Sequence, residues 1–290
     1  MKDLPVFLDY DQKALDDAYD QSVYAANREQ LLARFAAMSG LARERLGEPE
    51  RFAYGPGEME KLDIYKSKKR EAPVNVFIHG GAWRAGLARD YAFPAEMLVH
   101  AGAHFVALDF NNVLETAGNL LPMADQVRRA IAWVFSNANL FGGNARRLFV
   151  SGTSSGAHLG GCAAATDWRK DFGLPADLVK GYVLASGMYD LRGPRLSRRS
   201  SYVKFTDEME EALSPQRHTG KVRVPLVLLY GSLETPEFQR QSREFAAALE
   251  KAGKAVELIR AEGYNHFELT ETLGNPYGPL GRAVLAQMKL

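Results

Sequence analysis

The chain has 290 residues, 46% hydrophobic and 24% charged, an ordinary globular composition that excludes disordered, collagen-like and low-complexity classes. Lys plus Arg number 36 and Asp plus Glu 35, a formal net charge of +1, so no global field draws the chain to nucleic acid or an anionic membrane. One cysteine, Cys162, excludes an intramolecular disulfide and a cysteine-built zinc site and points to a reducing compartment.

The N-terminus, MKDLPVFLDYDQKALDDAYD, is acidic and lacks the apolar core of a signal peptide. No apolar run nears the roughly 20 residues of a membrane span. The expectation is a cytoplasmic protein with a single domain over residues 1–290. Residues 1–50 are rich in Asp, Gln, Ala and Tyr and carry no strand run. Residues 12–46 read as helix, broken near Ala25 to Asn27, and residues 1–50 are expected to form a helical N-terminal cap segment.

From residue 74 the pattern changes to short apolar runs alternating with helical periodicity. Strands are predicted at Val74–His79, Phe105–Phe110, Leu148–Ser151, Val179–Ser186, Leu226–Tyr230 and Val256–Arg260. Their apolar residues run without polar alternation, as strands buried on both faces require. Between Pro122 and Leu140, Met123, Val127, Ala130, Ile131, Val134 and Phe135 recur at helical spacing, with Gly142 and Gly143 as stop signals. Between Pro236 and Ala252, Phe238, Ser242, Phe245 and Leu249 share a face, with Thr235 as N-cap and Pro236 opening the helix. Strand–helix alternation predicts a mostly parallel sheet covered by helices, with ligands bound at the carboxyl ends of its strands.

The strongest motif lies at such an end. Gly152-Thr153-Ser154-Ser155-Gly156 follows the strand ending at Ser151 and opens a helix. This is G-x-S-x-G in its strand–turn–helix context, where a tight turn holds the serine at a helix N-terminus. Upstream, His79-Gly80-Gly81-Ala82-Trp83 follows the first buried strand. Its glycines let backbone N–H groups approach a developing oxyanion. Each motif alone is also readable as a simple glycine turn; their order makes that coincidence improbable.

A serine nucleophile needs a base. Of six histidines, His79 and His158 sit inside the motifs, His100 and His104 at a helix end and a turn, and His218 in a charged loop. His266 follows the last strand and precedes a helix, which makes it the candidate base. Glu234, just after the strand Leu226–Tyr230, is the candidate acid; Glu237, in the first turn of the next helix, and Asp190, one strand too early, are its rivals. Residues 189–222 form an insertion near the expected site. Arg192, Arg195, Arg198 and Arg199 within it read either as a solvated loop or as a wall attracting a carboxylate-bearing substrate. No G-x-G-x-x-G follows the first strand, so nicotinamide binding is disfavoured. No cofactor and no metal are expected.

The chain resembles the α/β-hydrolase superfamily, in the branch of hormone-sensitive-lipase-like esterases and kynurenine formamidases. The resemblance rests on His79-Gly80-Gly81-Ala82-Trp83, on Leu62-Asp63-Ile64-Tyr65, on Gly156-Ala157-His158-Leu159, on Met188-Tyr189-Asp190-Leu191 and on Ser214-Pro215, and it spans the chain from about residue 50. It implies an α/β-hydrolase fold and a cofactor-free serine hydrolase acting on a carboxylic ester or an N-formyl arylamine. It also implies oxyanion donors at the N–H groups of Gly81, Ala82 and Ser155, and a pocket lined by Gly80 and Trp83. The implied partner is a small, aromatic substrate, and Trp83, Tyr10, Tyr24 and Tyr189 are expected near the mouth to hold it. A homodimer is left open. Two positions depart from the family pattern: Glu234 stands where formamidases usually have Asp, and Thr153 and Ser155 flank the serine where many relatives have His or Asp before it and Ala after it.

Overall fold

The computed structural model describes residues 4–290, so residues 1–3, the start of the expected cap segment, lie outside the described residues. Eight strands form one sheet: β1 (Glu50–Ala53), β2 (Lys61–Tyr65), β3 (Ala72–Ile78), β4 (His104–Leu108), β5 (Gly143–Thr153), β6 (Val179–Ala185), β7 (Leu226–Gly231) and β8 (Val256–Ala261). Their order is β1-β2-β4-β3-β5-β6-β7-β8. The pairs β1–β2 and β2–β4 are antiparallel; the rest are parallel.

The helices are α1 (Gln12–Ala18), α2 (Arg28–Leu46), α3 (Ala95–His100), α4 (Leu121–Asn137), α5 (Ser155–Ala164), α6 (Trp168–Phe172), α7 (Arg192–Leu196), α8 (Asp207–Ala212), α9 (Pro236–Lys251), α10 (His266–Glu271) and α11 (Pro279–Met288). Alternate residues of each strand feed opposite layers. Val74, Val76 and Ile78 of β3 pack with Val127 and Ile131 of α4 and Leu159 of α5. Phe77 between them packs with Phe35 of α2 and Val284 of α11. The inner parallel strands β3, β4, β6 and β7 and the second half of β5 are therefore buried, as their apolar runs require, while β8 at the sheet edge is mostly half-buried or exposed.

Three differences from the sequence reading have physical causes. β1 and β2 went unpredicted because β1 has only four residues and is mostly exposed at the sheet edge. β5 begins five residues before the predicted Leu148, because its first half is half-exposed and polar. His104 opens β4 rather than sitting in a turn, and its Nδ1 accepts from the Ser67 amide at 3.0 Å.

The C-terminal ends of the parallel strands fall on one edge. Ile78 of β3 pairs with Gly152 of β5, Thr153 with Ala185 of β6, and Gly231 of β7 with Ala261 of β8. That alignment brings the loops after residues 78, 153, 185, 231 and 261 together at one rim.

Candidate active site

Ser154 sits between the last residue of β5 and the first turn of α5 with φ 56° and ψ −126°. A non-glycine residue held there carries strain of about 1–3 kcal/mol. Ser186, Ala82 and Trp83 also have positive φ, at 58°, 55° and 64°. Four of the eight positive-φ non-glycine residues among the described residues therefore fall at the rim where the predicted chemistry lies. The flanking glycines have steric reasons: a Cβ on Gly152 would lie 2.7 Å from Gly156 O, and one on Gly156 would lie 2.1 Å from Ile78 O. The Ser154 amide donates to Ala185 O at 2.8 Å, tying the turn to β6. Ser154 is half-buried, and its hydroxyl makes no hydrogen bond among the described residues.

Glu234 and His266 meet at the same rim. His266 Nδ1 lies 2.8 Å from Glu234 Oε2, and both side chains are buried. A carboxylate only accepts, so Nδ1 carries the proton and the Nε2 lone pair is left free. Phe238 and Phe267 pack edge-on against the imidazole, at centroid distances of 5.1 and 5.2 Å. Glu234 accepts four hydrogen bonds: from His266, from Gln21 Nε2 at 3.0 Å, from the Gly231 amide at 2.8 Å and from the Ser186 hydroxyl. Gln21 and Ser186 carry no sequence signal for this role. Gln21 lies 213 residues from its partner.

The rival carboxylates are engaged elsewhere. Glu237, fully buried, accepts from Arg240 at 2.7 and 2.8 Å and from Tyr19 Oη at 2.8 Å. Asp190 accepts from the Arg192 amide and pairs with Arg217 at 3.1 Å.

His266 opens α10, whose N-cap Asn265 and Glu268 form a capping box. Asn27 joins it: Asn27 Nδ2 donates to Glu268 at 2.7 Å, and Asn265 Nδ2 donates to Asn27 at 2.8 Å. The N-terminal segment thus touches both the acid and the turn that carries the histidine.

The loop after β3 has its peptide planes fixed by buried bonds. His79 Nδ1 lies 2.7 Å from Gly80 O, while Arg84 and Ala85 amides donate to Gly81 O at 3.0 and 3.1 Å. In a trans peptide the next N–H points opposite to the carbonyl. The Gly81 and Ala82 N–H groups therefore face away from these bonds, and neither donates a hydrogen bond among the described residues. Both residues line the same cavity as Ser154. The Ser155 N–H, in the first turn of α5, has no intrahelical acceptor. These three donors are what an oxyanion site requires.

The remaining histidines support this frame. His79 stacks between Phe110 at 4.5 Å and Tyr91 at 5.5 Å, and burial holds its basicity down. His158 Nδ1 accepts from Trp83 Nε1 at 3.1 Å and its Nε2 donates to Leu213 O at 2.8 Å. Burial pushes its pKa down to about 4. Cys162 is buried nearby, its thiol pushed up to about 12 by burial.

A cavity of about 650 Å³ opens over Ser154. Gly80 lines it. The other residues expected at its mouth do not. Trp83 is 2% exposed and lies behind the loop, because its indole is held by His158. Tyr189 is fully buried on Phe245, with ring centroids 4.4 Å apart. Tyr24 points to solvent, and Tyr10 lies beside Glu237 and Arg240. The aromatic lining is instead Tyr19 and Phe35 from the N-terminal segment, Tyr91, Tyr202 from the 189–222 insertion, and Phe267. The four arginines of the insertion divide. Arg192 is exposed, Arg195 pairs with Asp207 and Glu210, and Arg198 and Arg199 line the cavity. Among the described residues no helix is long and apolar enough to cross a membrane, and no cluster of three metal-ligating side chains occurs.

Residues 62–186 match the family described as BD-FAE. The chain is 32% identical over 227 residues to a kynurenine formamidase of Danio rerio, covering 76% of this chain and 75% of that one. It is 33% identical over 246 residues to a kynurenine formamidase of Salmo salar, covering 81% and 78%. A solved structure from Silicibacter sp. TM1040 matches the fold with a TM-score of 0.82 at 20% identity, over 95% of this chain and 99% of that one.

Proposed function

This chain belongs to the kynurenine formamidase family of α/β-hydrolases, and we propose that it cleaves a small-acyl amide or ester, an N-formyl arylamine above all, through Ser154, His266 and Glu234. The observation that carries the reading is the 2.8 Å contact between Glu234 and His266 at the rim where Ser154 sits strained above a helix N-terminus.

In this mechanism His266 Nε2 takes the Ser154 proton as Oγ attacks the acyl carbon, while Glu234 holds the ring and stabilises the imidazolium. The Gly81, Ala82 and Ser155 N–H groups receive the oxyanion. His266 then protonates the departing amine or alcohol, and a water activated by the same ring clears the acyl-enzyme. A Cβ on Gly80 would lie 3.0 Å from Ser154 Cβ and 3.1 Å from Thr153 O. The aromatic lining of the larger cavity supports an aromatic leaving group. The N-terminal segment and the insertion then act as the cap over the site.

The test is a paired assay of wild type and Ser154→Ala on N-formylkynurenine and p-nitrophenyl acetate. The expected result is preference for the formamide and a loss of about 10⁴-fold or more in the variant on both substrates. Turnover of the ester alone would move the substrate to the carboxylesterase class. A fluorophosphonate probe that leaves Ser154 unlabelled would make the cavity a non-catalytic binding site and overturn the mechanism.

A further inference from the structure

Three consecutive residues of the loop after β3 have positive φ: Gly81 at 120°, Ala82 at 55° and Trp83 at 64°. Glycine takes such a conformation readily, but alanine and a bulky tryptophan keep it only where their surroundings hold them. The same stretch carries the Gly81 and Ala82 N–H groups. Part of the hold is backbone, since the Val113 amide donates to Trp83 O at 2.7 Å. The side-chain part is one hydrogen bond.

Trp83 Nε1 donates to His158 Nδ1 at 3.1 Å, with the two rings edge-on at 5.2 Å and 82°. His158 is fully buried one turn into α5, and its own amide donates to Ser154 O at 3.1 Å. An indole N–H only donates and a carbonyl only accepts, so Nδ1 carries the lone pair and Nε2 the proton that goes to Leu213 O at 2.8 Å. Burial keeps the ring neutral, so the lone pair is present at neutral pH. His158 does not line the cavity over Ser154. Leu213 follows α8 in the 189–222 insertion, and Phe205 of that insertion meets the Trp83 ring edge-on at 6.5 Å. One imidazole therefore joins the helix behind the nucleophile, the loop that carries the oxyanion donors and the insertion.

We propose that His158 is the positioning residue of the oxyanion site: it holds Trp83, and through Trp83 the positive-φ backbone that aims the Gly81 and Ala82 N–H groups. The inference rests on the hydrolytic reading of Ser154. His158 moves no proton in that reaction; its lone pair is what matters, and an amide oxygen can replace it. Asn places an amide oxygen where imidazole has Nδ1, whereas Gln places an amide nitrogen where imidazole has Nε2. His158→Asn thus keeps the bond to Trp83, and His158→Gln keeps only the bond to Leu213.

The experiment measures kcat and KM on p-nitrophenyl acetate and N-formylkynurenine for wild type, His158→Asn, His158→Gln, Trp83→Phe and the double variant Trp83→Phe/His158→Gln, with folding checked by circular dichroism. His158→Gln and Trp83→Phe are each expected to lower kcat by about 10- to 100-fold, short of the roughly 10²–10³-fold that loss of an oxyanion donor costs. KM is expected to stay within about twofold, because aim at the oxyanion matters in the transition state alone. The double variant is expected to lose no more than either single one, since both act through one bond. His158→Asn is expected to retain most of the wild-type kcat. A second readout needs no turnover: the Trp83 indole proton, one of three in the chain, is expected to exchange slowly with solvent in wild type and His158→Asn and rapidly in His158→Gln, followed by NMR. Wild-type kcat in either single variant, additive losses in the double variant, or a His158→Asn as impaired as His158→Gln would overturn the assignment. If wild type cleaves neither substrate, the hydrolytic reading falls and the aiming role with it, and a slowly exchanging indole proton would leave His158 a structural anchor of the loop.

Discussion

Gln21 Nε2 lies 3.0 Å from Glu234 Oε2, the same carboxylate oxygen that His266 Nδ1 approaches at 2.8 Å. A residue near the start of the chain thus shares the acceptor that orients the imidazole. Gln21→Leu removes one of two donors on that oxygen and leaves the carboxylate held by His266, the Gly231 amide and the Ser186 hydroxyl alone. Hydrogen bonds to charged groups are worth about 1.5–3 kcal/mol, so kcat is expected to fall by about tenfold or more. Steady-state kinetics decides the matter: a rise in KM with kcat intact would make Gln21 a cavity-wall residue alone.

Glu234→Gln keeps the volume and removes the charge. The amide then presents N–H groups to a site that already holds donors from Gly231, Ser186 and Gln21. The expected loss in kcat is about 10³–10⁴-fold, the scale seen when a triad acid becomes an amide. Glu234→Asp, one methylene shorter, is expected to lose less. Equal activity of Glu234→Gln and wild type would remove Glu234 from the mechanism.

His158 makes stability pH-dependent. Its pKa is held at about 4 in the folded chain by burial, against about 6.5 when exposed. The unfolded chain then binds the proton first as pH falls, so stability is full above about 6.5 and declines toward 4. The limit is about 3 kcal/mol for this group, and buried His79 acts in the same direction. Urea unfolding at pH 7.5 and 4.5 is expected to show a shallower decline in His158→Gln than in wild type. Identical declines would assign the effect to other groups.

Two glycines predict opposite signs. Gly156→Ala would place a Cβ 2.1 Å from Ile78 O and 2.4 Å from His79 O, both backbone atoms. The cost is expected to be about 3 kcal/mol or more, because neither strand end can yield without moving the elbow. Gly40, inside α2, has nothing within 4 Å of such a Cβ. Gly40→Ala is expected to add about 0.5–1 kcal/mol. Thermal melts of the two variants check both signs.

The parallel sheet was legible in the sequence because each buried strand reads as an unbroken apolar run, and the elbow because its glycines fall at fixed spacing around Ser154. The approach of Glu234 to His266 followed from their places after consecutive strands. The edge strand β1 was not legible, since a four-residue exposed strand leaves little pattern, nor was its buried neighbour β2, whose five residues carry Lys61 and Asp63 between the apolar ones. The cavity's aromatics were misassigned for a related reason. Tyr10, Tyr24, Tyr189 and Trp83 were the aromatics expected at the mouth, but the wall is set by how the N-terminal segment packs. Tyr19, Phe35 and Gln21 reach the site through tertiary contacts alone. Nor does spacing tell that Arg199 is buried while Arg192, seven residues away, is exposed.

The two walls of the cavity are also fastened to each other. Gln12 donates to Leu196 O at 3.0 Å, the Arg198 amide donates to Asp16, Arg198 pairs with Asp20, and Arg199 donates to Tyr19 O. The same N-terminal stretch that forms one wall also bonds the acid through Gln21 and the histidine turn through Asn27. On the proposed mechanism, exchanging roughly the first fifty residues between relatives is therefore a single genetic step expected to change substrate scope and catalytic tuning together, with grafted N-termini expected to need their matching insertion.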